Sequence, residues 1–235
     1  MKMRTMAKII LLLGLAVTFF LSTNSAHALL TLRLSDGTTT FDVSDGDVVG
    51  SEVDASSTSG VITYSGLFGN FNLNVTTGVQ SGTNTLPVLA FNTFEVSNPS
   101  GGTLTVSLSN TNFEPTSSPT GFTMHGSGTA IVGSGTVSFY SYIDNTNTLF
   151  GEGSPLGSLG PYTSASFSGD NNGSISSLAT PYALTAKAII NLNGNTMMQT
   201  TSNIAIVPEP ISSILFILGG ATFGLRHCLK SRKRQ

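Results

Sequence analysis

Apolar and polar residues alternate in short segments along most of the chain, and this pattern limits the fold more than any other feature. Residues 30–34, 71–75 and 104–108 are clear examples. A period of two places successive side chains on opposite faces of a β-strand, so one face can meet a core and the other water. The Thr, Val, Phe and Tyr in these segments also suit a pleated sheet. The pattern therefore predicts a β protein.

Turn-forming residues separate the alternating segments. Gly reaches positive φ without strain and Asn or Asp tolerates it, which favours chain reversals at 35–37, 44–46, 98–102 and 170–173. Asn193-Gly194, between two apolar segments, gives the clearest predicted β-hairpin.

About ten short strands with regular turns and no helical periodicity predict an all-β fold, an antiparallel β-sandwich, for residues 29–206. Residues 151–161, which contain two prolines and four glycines, predict a long loop. The remaining strand predictions are 39–43, 61–65, 90–97, 121–125, 136–143, 162–168, 182–192 and 197–206.

Residues 1–28 carry the three parts of a secretory signal peptide. A basic start precedes an apolar run at 9–21 and a small-x-small cleavage site. The residues concerned are Lys2, Arg4, Lys8, Ala26 and Ala28. The apolar run is shorter than the roughly 20 residues of a membrane span. We therefore expect a helix that signal peptidase removes during export, with an uncleaved N-terminal anchor as the alternative.

Residues 207–235 form a second segment in three parts. A proline-flanked glutamate precedes an uncharged run at 211–225 and a basic tail. Residues 211–229 predict a single transmembrane helix, and the positive-inside rule places the tail 230–235 in the cytoplasm and the body outside. The motif is Val207, Pro208, Glu209 and Pro210, and the cations are Arg226, Lys230, Arg232, Lys233 and Arg234.

This arrangement resembles the PEP-CTERM sorting signal of exported bacterial proteins. The resemblance implies recognition by an exosortase, a membrane-embedded thiol peptidase or transpeptidase, while the precursor is held in inner-membrane lipid. It also implies removal of the tail and delivery to the cell surface or the extracellular polysaccharide matrix. Ile211, where small residues are common, departs from the pattern, as do Leu229 and Ser231 within the basic cluster. An ordinary membrane anchor is the alternative.

Parts of the body also resemble uncharacterised members of the same family. The segments concerned are 34–37, 60–66, 70–71, 74–78 and 102–113. This likeness implies a shared β domain and implies no activity.

Charge is distributed unevenly along the chain. Eight of the ten Lys and Arg lie in the terminal segments, whereas the body has Arg33 and Lys187 against eleven Asp and Glu. An acidic body repels phosphate, so no nucleic-acid partner is expected. The one cysteine, Cys228, lies in the C-terminal segment 207–235, and the body therefore has no disulfide, no thiolate zinc ligand and no cysteine nucleophile. No cofactor is predicted.

An acidic stretch is the strongest candidate for a metal site. Clustered carboxylates in loops that contain glycine can hold Ca²⁺, although the spacing here is not that of an EF-hand. Solvated turns beside an edge strand are the alternative interpretation. The residues are Asp42, Asp45, Asp47, Glu52 and Asp54.

Few residues in the body suit catalysis. His125 is its one histidine, no Gly-x-Ser-x-Gly motif is present, and the glycines of 126–128 and 133–135 are expected to shape a hairpin or bulge. Glu95, Glu114, Asp144 and Glu152 could pair as glycosidase carboxylates, but any acidic β protein offers such pairs. We predict no catalytic residues.

The leading hypothesis is a non-enzymatic protein of the cell surface or extracellular matrix. A glycan-binding module acting in exopolysaccharide is the alternative, and a secreted hydrolase is a third. The chain has no Trp and five Tyr, which disfavours aromatic sugar platforms without excluding them. Tyr140, Tyr142 and Tyr162 are expected to pack in the core or in hairpins.

Overall fold

The computed structural model describes residues 30–47, 54–79, 81–114, 120–163, 165–179 and 181–208. This part of the chain contains thirteen β-strands and no helix. The strands are β1 (Thr31–Ser35), β2 (Thr40–Ser44), β3 (Val61–Phe68), β4 (Phe71–Val79), β5 (Ser81–Thr83), β6 (Leu86–Asn98), β7 (Gly102–Phe113), β8 (Thr120–Val132), β9 (Gly135–Asp144), β10 (Ser154–Tyr162), β11 (Ser166–Ile175), β12 (Tyr182–Leu192) and β13 (Thr196–Pro208).

Two antiparallel sheets form a sandwich, which confirms the all-β antiparallel prediction. Sheet A has the order β10-β9-β12-β7-β1-β2, and sheet B has the order β11-β8-β13-β6-β4-β3 with β5 beside β6. Seven strands have ten or more residues. The strands are thus more numerous and longer than the predicted ten short ones, because several continue through glycine and asparagine.

Seven of the twelve connections between these strands carry the chain from one sheet to the other. They are β2–β3, β6–β7, β7–β8, β8–β9, β10–β11, β11–β12 and β12–β13. Asn193-Gly194 therefore does not close a hairpin, because β12 pairs with β7 and β9 whereas β13 pairs with β6 and β8. The reversal is held instead by neighbouring turns, since the Asn193 amide donates to Ser134 O and the Asn195 amide donates to Pro99 O. The predicted hairpin is wrong, and the predicted reversal is present.

The core lies between the sheets and contains one face of each long strand. On β9, Val137, Phe139 and Ile143 point inward. On β8, Gly126 and Gly128 occupy core positions, where an added Cβ would lie 2.8 Å from Phe139 and 2.5 Å from Phe167. Gly126 and Gly128 therefore leave room for aromatic rings from other strands. Strands β8 and β9 form no hairpin, but the predicted bulge is present where the pairing of β8 with β13 shifts between residues 130 and 132.

Aromatic side chains and hydrogen bonds close the two long sides of the sandwich. On one side, Tyr162 of β10 stacks on Phe167 of β11, with ring centroids 4.7 Å apart. On the other, Phe41 of β2 meets Tyr64 and Phe68 of β3 at 5.3 and 6.0 Å. Contacts of this kind bury the sheet edges that would otherwise expose the core.

The segments richest in Gly, Ser and Asn gave the least accurate predictions. The predicted loop 151–161 contains most of β10, and the predicted turn 170–173 lies within β11. The predicted strand 162–168 spans the connection between these strands. Strands β10 and β11 are both edge strands. Edge positions tolerate Pro and Gly because an edge strand is hydrogen-bonded to only one neighbouring strand.

Both predicted terminal helices lie outside the described residues. Within the described ranges, the structure has no helix of the length and hydrophobicity that crossing a bilayer requires. Strand β13 continues to Pro208, which pairs with Thr120, so the sheet extends two residues past the predicted domain boundary at 206.

Candidate functional site

Two tyrosine rings lie side by side on the outer face of sheet A. Tyr140 and Tyr142 alternate with the inward residues of β9, so both point away from the core and are partly exposed. Neither ring packs in the core, although both lie on the antiparallel pair of β9 and β10, whereas Tyr162 does pack against the core. The sequence carried the signal, because Phe139 directly before Tyr140 is a core-type residue, and a period of two places residues 140 and 142 on the opposite face.

A lysine on the neighbouring strand lies against both rings. Lys187 of β12 pairs with Tyr140 in the ladder, and its ammonium is 5.8 Å from the Tyr140 ring centroid and 5.2 Å from that of Tyr142. Its Nζ also donates to Glu152 Oε1 at 2.6 Å. The Lys187 side chain is 16% exposed and that of Glu152 is 47% exposed. We call Tyr140, Tyr142, Glu152 and Lys187 the tyrosine patch.

Burial alters the acidity of one ring in the patch. Partial burial raises the pKa of the Tyr142 phenol above its ordinary value, while the charge of Lys187 acts in the opposite direction. The Tyr142 phenol therefore stays protonated at neutral pH, and the hydroxyl groups of both rings can donate and accept hydrogen bonds. The patch combines flat apolar ring surface with hydroxyl groups, which suits a ligand that has both C–H faces and hydroxyls.

The connection between β9 and β10 runs across the outer face of sheet A beside the patch. The Phe150 amide donates to Ser109 Oγ at 2.9 Å, and Ser109 is fully buried although it points away from the core. Asn147 and Asn112 exchange two hydrogen bonds of 2.8 Å. This connection carries Glu152 and fixes it next to Lys187.

Arginine and phenylalanine anchor the middle of the same connection. The Arg33 guanidinium lies 4.0 Å from the Phe150 ring centroid and makes two 2.7 Å hydrogen bonds to Asp42. The hydrogen bond and charge of Asp42 raise the pKa of Arg33. Phe150 has φ of 58°, an unusual conformation for a bulky residue. Sequence analysis missed this role of Arg33 and Phe150, because their pairing depends on the sheet order.

The carboxylates described in the acidic stretch accept hydrogen bonds that stabilise the neighbouring turns and strands. Asp42 is paired with Arg33, Asp45 Oδ2 accepts from the Gly60 amide, and Asp47 Oδ2 accepts from the Ser44 amide. Asp54 is buried and accepts from three amides, whereas Glu52 lies outside the described residues. In the described ranges, no three His, Cys, Asp or Glu side chains are grouped so as to hold a metal ion.

His125 lies on the outer face of sheet B, on the opposite side of the molecule from the tyrosine patch. Its Nδ1 is 2.7 Å from Asp170 Oδ1, and the two side chains are 40% and 76% exposed. The hydroxyl of Ser127, two residues further along β8 on the same face, is hydrogen-bonded to that of Thr201 at 2.9 Å. The structure therefore provides an exposed His–Asp pair and does not place Ser127 as a nucleophile on it.

The four candidate glycosidase carboxylates are spread over the molecule. Glu95 lies on β6 of sheet B, whereas Glu152 lies beside sheet A and is paired with Lys187. Asp144 is buried and accepts from the Thr146 amide at 2.7 Å. Glu114 follows β7, where its amide donates to Asn84 O. Glu95 and Glu152 are thus divided between the two sheets.

Of the sorting motif, only Val207 and Pro208 lie in the described residues. Both belong to β13, and Pro208 is exposed. Glu209, Pro210, the apolar run, the basic cluster with Cys228 and the signal peptidase site at Ala26 and Ala28 lie outside them. The predicted processing sites therefore remain predictions.

Comparison with known proteins gives little information beyond the β class. No protein-family model and no curated protein matches the chain. Among solved structures, a module in complex with β-1,4-galactotriose is similar over 61% of this chain and 92% of its own, with 6% identity and a TM-score of 0.32. A xylan-binding domain from Paenibacillus barcinonensis is similar over 67% and 92%, with 11% identity and a TM-score of 0.31.

A viral structure is similar to the same degree. Infectious bursal disease virus gives 9% identity over 80% of this chain and 52% of its own, with a TM-score of 0.35. TM-scores this low establish no common function. The function of the chain must be argued from its own surfaces.

Proposed function

We propose that this chain is a non-enzymatic glycan-binding protein whose binding surface is the tyrosine patch. The observation that carries the proposal is the pair of partly exposed rings, Tyr140 and Tyr142, on one strand with the Lys187–Glu152 pair beside them. Sugar rings have apolar C–H faces that pack on aromatic rings and hydroxyl rims that bond to polar side chains. The patch offers both.

Rigid support favours binding at this place. Tyr140 and Tyr142 lie within β9, which is paired on both sides by β10 and β12. Glu152 is held by a connection that is bonded to sheet A through Phe150 and Asn147. Side chains on a paired strand lose little conformational freedom when a ligand binds, which improves affinity. The carbohydrate-binding modules named above add no weight to this argument, because their similarity is too low.

Affinity electrophoresis through gels that contain soluble polysaccharides tests the proposal. We expect the protein to be retarded by at least one polysaccharide, and the double variant Tyr140→Ala, Tyr142→Ala to lose about tenfold or more in affinity, since buried aromatic contacts carry much of a binding energy. The control is His125→Ala, which removes an exposed ring from the other sheet. Retention of the double variant equal to that of the original would contradict the proposal.

The hydrolase hypothesis is tested in the same samples. Release of reducing ends from the retained polysaccharide, lost in His125→Ala, would favour an enzyme. Retention without hydrolysis, unchanged in His125→Ala, is the outcome expected for a binding protein.

We also propose that the chain is exported and sorted to the cell surface or matrix through residues 1–28 and 207–235. The support is the sequence of these segments, in which a complete leader and a Pro-Glu-Pro motif with an apolar run and a basic tail occur together. A glycan-binding body would be useful in a polysaccharide matrix, so the two proposals are compatible.

A further inference from the structure

Both cations on the outer face of sheet A are neutralised within the protein. Lys187 Nζ is 2.6 Å from Glu152 and only 16% of its side chain is exposed. Arg33 makes two hydrogen bonds to Asp42 and is covered on one side by the Phe150 ring. Each cation is therefore already paired with a carboxylate, and an anionic ligand could bind it only by displacing that carboxylate.

The rest of the described body adds negative charge. Ten Asp and Glu lie in the described ranges against two cations, which gives a net charge of −8 with neutral histidine. The acids are Asp36, Asp42, Asp45, Asp47, Asp54, Glu95, Glu114, Asp144, Glu152 and Asp170. A field of one sign slows the approach of ligands of the same sign and weakens their binding, most strongly at low salt.

We infer that the tyrosine patch selects electrically neutral saccharides and rejects uronate-containing ones, with Glu152 as the residue that sets this selectivity. The inference rests on the proposed glycan-binding function. Glu152 acts in two ways. It places a negative charge at the rim of the patch, and it forms an ion pair with Lys187, the one cation of the patch. Ring stacking and hydroxyl bonding then carry the affinity for a neutral chain, and neither depends strongly on salt.

A matched pair of ligands tests the inference directly. Soluble neutral glucan, galactan and mannan are screened first, and the one that binds is compared with its own derivative oxidised to carboxylate at C6. The backbone is the same in both ligands, so the comparison isolates charge. We expect the neutral form to bind about tenfold or more tightly at roughly 0.01 M salt, and the difference to shrink at about 1 M, where the Debye length is about 3 Å.

Glu152→Gln is the decisive variant. It keeps the shape of the side chain and leaves Lys187 without its carboxylate, so the affinity for the oxidised polysaccharide relative to that for the neutral form should rise about fivefold at low salt. Asp170→Asn is the matched control, since it changes the net charge equally on the opposite sheet. Asp170→Asn should leave the ratio of the affinities for the oxidised and neutral polysaccharides nearly unchanged.

The outcomes separate the inference from the proposed function. If the original protein binds neither form of any polysaccharide, the glycan-binding proposal fails and the inference fails with it. If it binds both forms equally at low salt, or if Glu152→Gln and Asp170→Asn shift the ratio alike, selectivity does not arise at Glu152 and the inference alone is overturned.

Discussion

At the residue scale, one buried carboxylate organises the turns that join sheet A to sheet B. Asp54 Oδ1 accepts from the amides of Ser56 and Thr63, both at 2.8 Å, and Oδ2 accepts from that of Gly46 at 3.2 Å. Its own amide donates to Asp47 O. One side chain therefore joins the turn after β2 to strand β3. Hydrogen bonds to a carboxylate are stronger than those between neutral groups, and leaving their donors unpaired is costly.

Replacing this carboxylate should destabilise the fold. We expect Asp54→Ala to lower the free energy of unfolding by about 2–4 kcal/mol, because three amides lose their acceptor at a buried position. Urea unfolding followed by fluorescence measures the change. Asp47→Ala is the control, since Asp47 is exposed and accepts one amide with its side chain, and it should cost less than about 1 kcal/mol. Equal losses in the two variants would refute the role given to Asp54.

At the element scale, strand β8 shows how glycine can serve a core. Gly126 faces inward, and a Cβ there would lie 2.8 Å from Phe139 Cδ2 and 3.2 Å from Leu159 Cδ1. The Phe139 ring from β9 and the Leu159 side chain from β10 thus occupy the space that a side chain on β8 would take. Gly in a strand costs conformational entropy, and here that cost is offset by the packing of larger groups from sheet A.

Adding a methyl group at this position should overpack the core. We expect Gly126→Ala to destabilise the protein by about 1–3 kcal/mol, and the second substitution Phe139→Leu to recover part of that loss by making space. The measurement is a double-mutant cycle of unfolding free energies. Thr129→Ala, on the exposed face of β8, is the control and should change stability little. Additive effects of Gly126→Ala and Phe139→Leu would argue against direct contact.

At the scale of the whole molecule, charge and hydrophobicity divide the chain into a body and two ends. The described body has a net charge of −8, whereas eight of the ten Lys and Arg lie in residues 1–28 and 207–235. This separation is typical of an exported domain with cationic segments that stay on the cytoplasmic side. Strand β13 ends at Pro208, so the folded sheet reaches the first proline of the motif.

Changing the motif should block processing without unfolding the body. Pro208 has no amide hydrogen to lose and is exposed, so Pro208→Ala combined with Glu209→Gln should leave stability unchanged within about 0.5 kcal/mol. In the native cell we expect the variant to accumulate as a full-length membrane-bound precursor, measured by fractionation and mass spectrometry. Glu114→Gln serves as the control. Normal release of the doubly substituted protein would exclude sorting through this motif.

Much of the fold could be predicted from local patterns. Strand β12 was predicted with its observed bounds, residues 31–34 of the predicted strand 30–34 lie in β1, and 104–108 lies in β7, because strong alternation leaves only one way to bury the apolar face. Strands β10 and β11 were missed, since their Gly, Pro and Ser residues have weak preferences of their own. Pairing with β9 and β8 makes them strands.

The candidate site, like the fold, could be predicted from the sequence only in part. Alternation around Phe139 determines that Tyr140 and Tyr142 share the outer face, and composition alone determines that the body is acidic and without disulfides. Only the tertiary structure decided that Asn193-Gly194 joins two sheets, that Gly126 makes room for Phe139, and that Lys187 meets Glu152. Alternation is a property of neighbours in sequence, whereas these contacts depend on which strands pair, and strand order is fixed by packing over the whole molecule.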